Sequence, residues 1–365
     1  YVVIDVPAAD AQGSALKAAI IAAGKDYTKI KHLKVTGEIN KLDFDFMRNE
    51  MQLLQSVNLK DVEIVACGSS LAHEIPENAF NLKSTLIRFV FPENITKVGN
   101  HSFSGTNLTG SLIIPNHVTE IGEWAFSNCP FSGTLTLPKS LVKIANYAFS
   151  RTSLTGTLDI PESVKIIGLG AFLSTDFTGS LQLPAGIEEL GESAFSSCMG
   201  FTGSLTIPAR ITKVPKACFL GCSGLNGKLL LPKGLLEIKE RAFNGCRFRT
   251  SLNLPDELLL IGDSAFSGCQ FSGQLILPKS LSVLGNGAFS GCYRLTGIVE
   301  IPEDIIMIPG AVFSDCSSLE GVVLSKNTER IQVGAFRDCF QLNSITCHAQ
   351  TPPTLDASAF NGVAL

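Results

Sequence analysis

An Ala-Phe pair or a close variant returns along this chain every 23 or 24 residues, with its phenylalanine at Phe80, Phe103, Phe126, Phe149, Phe172, Phe195, Phe219, Phe243, Phe266, Phe289, Phe313, Phe336 and Phe360. Segments far apart then read almost alike, as in SGTLTLPKSLVKIANYAF (residues 132–149) and SGQLILPKSLSVLGNGAF (residues 272–289). A unit this short has too few side chains to bury its own apolar face. Stacked units can bury theirs against one another, so the period predicts a solenoid.

Other columns keep step with the phenylalanine. Proline stands 11 residues before it, from Pro92 and Pro115 to Pro278 and Pro302. Apolar residues lie one and three positions before each proline, as at Leu112 and Ile114 or Leu275 and Leu277, the alternation of a strand with one buried face. Proline cannot donate to a ladder and ends that strand. Two more apolar columns follow three and six positions later, as at Val118 and Ile121, before the Ala-Phe corner. About twelve to thirteen such coils at the roughly 4.8 Å spacing of neighbouring strands give a rod or arc on the order of 60 Å long.

Composition agrees with a core interrupted by corners: 45% of residues are apolar, beside 33 glycines and 17 prolines. A formal charge of −4 offers no basic field for nucleic acid or an anionic membrane. No run of 18 apolar residues marks a transmembrane span. Residue 1 is Tyr1, with no charged-then-apolar leader after it, so a signal segment is either absent or already removed.

Eleven cysteines raise disulfides and metal as readings, and Cys218-Phe-Leu-Gly-Cys222 has the look of half a zinc site. Their place in the repeat favours a third reading. Cys129, Cys198, Cys222, Cys246, Cys269, Cys292, Cys316 and Cys339 all stand three residues after the repeat phenylalanine, where other coils carry Thr106, Thr152 or Thr175. A column of small, semi-polar residues reads as an inward ladder of free thiols, because stacked neighbours lack the facing geometry of a disulfide.

The ends differ from the middle. Residues 1–75 read as an α/β cap: Asp10 as N-cap of a helix over Ala11 to Ala23 stopped by Gly24, a strand at HLKVTG, a helix in LDFDFMRNEMQLLQ with Met47, Met51 and Leu54 on one face, and a strand at VNLKDVEI. Residues 76–348 are the repeats. Residues 349–365 form an irregular closing coil, in which Pro352 and Pro353 leave the register. The chain stops at Leu365, just after a repeat phenylalanine, which reads as one piece of a longer protein.

The phrase LPDELLLIGDSAFSGC (residues 254–269), repeated with variation over residues 76–348, closely resembles the BspA-like leucine-rich repeat family. HLKVTGEINKLDFDFMRNEMQLLQSVNLKDVEI resembles the cap before such repeats in surface proteins of anaerobic gut and mouth bacteria. CHAQTPPTLDASAF resembles their closing coil. The resemblance implies a right-handed leucine-rich-repeat arc, a secreted or outer-surface location often with a lipid anchor, and adhesion to host proteins or other cells. Ser325 in place of the repeat proline, and Cys218 and Val312 in place of the repeat alanine, depart from the pattern. No anchor is visible in this stretch. The family shares a scaffold more firmly than a ligand, so partner identity and oligomeric state stay open.

Nothing asks for catalysis or a cofactor. The histidines His32, His73, His101, His117 and His348 show no metal spacing, and Ser-Gly and Thr-Gly pairs serve as turns before strands. Two surfaces stand out. Four residues before proline, Ser111, Thr134, Thr157, Ser180, Ser204 and Ser251 make a polar strip, which reads as solvated β-surface or as a contact for a glycan or an extended peptide. Four and five residues after proline, early coils carry Thr119-Glu120 or Thr212-Lys213, whereas later ones turn apolar at Leu236, Leu259, Leu260, Val283, Ile306 and Met307. Pointing outward, these six form a partner or self-association surface; covered by a loop, they are edge packing. The expected function is a non-enzymatic surface protein binding a protein partner, such as a host extracellular-matrix or cell-surface protein. A glycan-binding protein, which calls for aromatic residues on the binding face, and a self-assembling structural protein are the alternatives.

Overall fold

In the computed structural model, which describes residues 1–363, the amino-terminal segment forms a parallel sheet of β1 (Val2–Val6), β2 (His32–Ile39) and β3 (Ser56–Ile64), flanked by α1 (Ala15–Ala22) and α2 (Lys41–Asn49). Ala364 and Leu365, the tail of the closing coil, lie outside the described residues. Contacts divide the chain into two compact units, one of Tyr1–Phe177 and one beginning at Thr178.

The first helix is shorter than its alanine content suggests. Asp10 does not cap it: the Asp10 carboxylate accepts from Gln12 N in a tight turn, and Ser14 caps the helix by accepting from Lys17 N. Its end is as expected, with Gly24 at φ +68°. The second helix stops at Asn49, so Met51 and Leu54 are buried from the turn beyond it rather than from its face. Asp43 joins the two helices. Its buried carboxylate accepts from Ser14 Oγ (2.7 Å), Leu16 N (2.8 Å) and Asn40 N (3.0 Å), serving the start of both.

The cap passes into the coils through β5 (Arg88–Val90), which pairs with β3 and completes the sheet order β1-β2-β3-β5. Lys83 of the first coil is buried and donates to the carbonyls of Arg48 (3.0 Å) and Met51 (2.9 Å) at the end of α2. A second ladder runs along the coils after the prolines: β4 (Glu74–Ile75), β6 (Lys97–Val98), β8 (Glu120–Ile121), β10 (Lys143–Ile144) and β11 (Ile166–Ile167) are all parallel. Before the prolines, β7 (Leu112–Ile113) pairs with β9 (Leu135–Thr136).

In the unit beginning at Thr178 the same ladder after the prolines runs through Lys213–Val214, Glu237–Ile238, Leu260–Ile261 and Val283–Leu284, and again through Met307–Ile308, Arg330–Ile331 and Thr354–Leu355. Each unit is thus a stack of parallel coils.

The phenylalanine corner explains the period. From Phe80 to Phe336, two residues before and two after each repeat phenylalanine the backbone turns to positive φ, as at Trp124 (+56°) and Asn128 (+55°) around Phe126. This aims alternate amides along the stack. His101 N, Phe103 N and Gly105 N donate to the carbonyls of Glu123, Ala125 and Ser127 one coil on. The rings stack with the backbone: Phe103–Phe126–Phe149–Phe172 in the first unit, and Phe195–Phe219–Phe243–Phe266 in the second, have centroids 5.3 to 5.7 Å apart and planes within 8° of parallel.

Phe243→Ala, in the middle of such a stack, is expected to destabilise the protein by about 3–5 kcal/mol. Phe340→Ala, at a ring that is 59% exposed, should fall within about 0.5 kcal/mol of wild type. Denaturant unfolding of the two variants checks the contrast.

Candidate functional site

All eleven cysteines are free, and every member of the cysteine column is buried. Each Sγ has an acceptor at hand: Cys246 donates to Phe219 O (3.2 Å), Cys269 to Phe243 O (3.3 Å) and Cys316 to Phe289 O (3.2 Å), one coil back. Where threonine replaces cysteine, Thr152 Oγ1 turns to Phe149 O of its own coil (2.9 Å). The column therefore needs a small side chain with one donor, which is what cysteine and threonine share. Among the described residues no group of three His, Cys, Asp or Glu side chains is placed to hold a metal.

Burial pushes the thiols up, Cys129 to about 11 and Cys292 and Cys339 to about 12. Few are thiolate at neutral pH, so they make poor nucleophiles.

One histidine has a structural place. His101 is a corner residue at φ +53°, its ring parallel to Trp124 at 6.2 Å, and Trp124 stacks on Tyr147 at 4.2 Å. Beyond Tyr147 lies Gly170, where a Cβ would fall 2.5 Å from the tyrosine ring. This aromatic row is not among the surfaces that stand out in the sequence. Its signal was there, since all three stand two residues before a repeat phenylalanine. The rings cover one another's faces, so the row presents edges rather than an open platform for a sugar.

The polar strip lies on exposed positions in both units: Ser111, Thr134 and Thr157 in the first, Ser180, Ser204 and Ser251 in the second. Part of its hydrogen-bonding capacity is used within the coils. Ser111 Oγ accepts from Thr134 N (3.1 Å), and Ser204 Oγ accepts from Lys228 N (2.9 Å). Exposed apolar residues two positions further on, Ile113 in the first unit and Leu230 and Ile276 in the second, interrupt its polarity.

The apolar positions after the prolines gather into one strip on the second unit. Leu259, Val283, Ile306 and Met307 are 44%, 48%, 46% and 54% exposed, and Leu236 and Leu260 are half-buried beside them. Parallel pairing sets Leu260 against Val283 in adjacent rungs. Charge borders both ends. Glu237, the rung before Leu260, bonds Lys239 and Lys213 (2.9 Å), which hold its carboxyl below the usual range; past Met307, Arg330 pairs with Asp356 (2.8 Å). Among the described residues nothing covers these four exposed side chains, and neighbouring exposed apolar groups are the kind of surface that marks interaction sites.

Short parallel strands, a proline-ended inner face and a corner of stacked phenylalanines define a leucine-rich repeat protein. A match to the BspA type leucine rich repeat region over residues 73–202, 142–270, 201–320 and 236–365 places this chain in that family. It is similar in fold to a leucine-rich repeat protein from Bacteroides ovatus, with 23% identity, TM-score 0.54 and coverage of 85% of this chain and 77% of that one. A leucine rich cell surface protein from Faecalibacterium prausnitzii matches at 20% identity and TM-score 0.43, covering 90% of this chain and 81% of that chain. The pneumococcal vaccine antigen PcpA matches at 17% and 0.45, covering 88% and 80%. No curated protein sequence matches significantly. Among the described residues no helix is long and apolar enough to cross a membrane.

In the native protein a thiol reagent at pH 8 is expected to modify Cys67 and Cys347 rapidly and the nine buried cysteines only on unfolding. The folded chain keeps thiol protons that the unfolded chain loses from about pH 9 upward, so stability should fall between about pH 9 and pH 12. Counting reactive thiols, and melting the protein across that range, check both.

Proposed function

We propose that this protein is a non-enzymatic binding protein of the bacterial cell surface or its surroundings, and that it holds a protein partner on the apolar strip of its second unit. One observation carries the reading: six side chains of four consecutive coils, Leu236, Leu259, Leu260, Val283, Ile306 and Met307, form a strip at positions where most other coils place charged or polar residues, Val142 and Ile166 excepted. A solvated edge has no need of that change. A partner that covers the strip removes the apolar area from water and meets the ion pairs at its rim.

Family membership supports the surface location and the absence of catalysis, since the repeat supplies a scaffold and no converging catalytic group. A host extracellular-matrix or cell-surface protein is the class of partner that this location offers. Capture of a glycan has less support, because the row of His101, Trp124 and Tyr147 is stacked shut.

Binding of the purified protein to a panel of extracellular-matrix proteins and glycans tests the reading, beside a Leu260→Ser, Met307→Ser variant whose fold is checked by thermal melting. Affinity for a protein ligand is expected to fall by roughly 10- to 100-fold in the folded variant. Undiminished binding would remove the strip from the site.

A further inference from the structure

Between the first two coils of the first unit the ladder before the prolines is interrupted, while the ladder after them continues from β6 to β8. The first coil places two residues, Ile87 and Arg88, between buried Leu86 and the inward Phe89, whereas the second places three, Thr109, Gly110 and Ser111, between Leu108 and Leu112. The cap sheet fixes β5 through its pairing with β3, and β7 follows its other neighbour, β9. No strand pairing joins β5 to β7. The nearest backbone bonds between these coils are Thr109 N to Ile87 O at one end and Thr119 N to Thr96 O at the other.

A groove of 710 Å³ opens along this break. Its floor is aromatic. Phe89, Phe91 and Phe131 line it, and the first two are half-buried, whereas Leu112 and Ile114 at the same repeat positions one coil on are buried. No other coil puts phenylalanine in these two columns. Val90 and Ile113, 40% and 67% exposed, flank the opening. On the rim Lys60 is paired with Glu93 (3.2 Å), while Arg88 is exposed and makes no ion pair among the described residues.

We propose that this groove is a second binding site, independent of the apolar strip, and that it takes an extended segment of a partner polypeptide with alternating apolar side chains and a nearby carboxylate. Strand edges that lack a neighbour supply main-chain hydrogen bonds, the mode in which a peptide joins an open sheet. The aromatic floor takes side chains from one face of such a segment, because successive residues point to opposite sides. The unpaired guanidinium of Arg88 favours a carboxylate, which it can hold by two parallel hydrogen bonds. Two or three side chains of an extended segment fit a cavity of this volume, which lies within the usual range for ligand sites.

A display library of random linear decapeptides, panned on the whole protein and counter-selected on an Ile113→Asp, Arg88→Glu variant of unchanged melting temperature, tests the proposal. Enriched peptides are expected to alternate apolar residues and to carry Asp or Glu. As synthetic peptides they should bind the double variant at least tenfold more weakly and the Leu260→Ser, Met307→Ser variant as well as wild type. Hydrogen exchange should slow in residues 88–91 and 110–114 when the best peptide is bound. No enrichment, equal binding to the groove variant, or protection elsewhere would overturn the assignment.

Discussion

Hydrogen bonds along the stack set the terms for everything else in this protein. At the corners within each unit, as at Phe103 and Phe243, three amides donate to the next coil, and they can do so only because the residues on both sides of the phenylalanine adopt positive φ. That conformation costs an ordinary L-residue roughly 1–2 kcal/mol, and here it is borne by residues as large as Trp124, Tyr147 and Arg241. Axial bonds and the ring stacks beside them offset that cost in coil after coil. Cysteine and threonine complete the corner by adding a side-chain donor to the phenylalanine carbonyl, as Cys246 Sγ does at Phe219 O beside the Cys222 amide.

With the interior held by columns, the surface is free to vary, and variation along one column is where a solenoid acquires function. The positions five after proline show this. In the first unit Lys97, Glu120 and Lys143 alternate in charge before Ile166, with Glu120 between the two lysines at 3.6 and 3.0 Å. In the second unit the same positions begin with Glu189 and the Lys213–Glu237 pair and then change to Leu260, Val283 and Met307. Exposed ion pairs of this kind add little stability. Their replacement by apolar groups therefore gives up little and creates a surface that water does not favour. The groove in the first unit has another origin. It comes from a difference in loop length between two coils, where one strand follows the cap and the next follows the repeat.

Legibility in the sequence followed periodicity. Columns of Phe, Pro, Cys and paired apolar residues were readable because identical backbone environments demand similar side chains, and the parallel stacked coils follow from them. The candidate strip at Leu259 and Met307 was readable as a departure from a column. Less regular features were harder. Asp10 looked like a helix cap and makes its own tight turn, because the choice between Asp10 and Ser14 depends on which side chain the buried Asp43 carboxylate engages. The row of His101, Trp124 and Tyr147 is hard to see because most other coils carry small or charged residues at that position two before the phenylalanine, as at Ser193, Ala217 and Arg241.

The amino-acid sequence by itself determined the coil, its corner, the inward columns and the family, since each of these is a local pattern repeated until no other fold can bury it. Only the tertiary structure decided which departures from the pattern reach solvent. Exposure of the strip depends on whether another part of the chain covers it, and the groove depends on a one-residue difference between loops whose strands answer to different neighbours. Both are properties of how coils meet, and a coil's neighbours are not encoded within its own 23 residues.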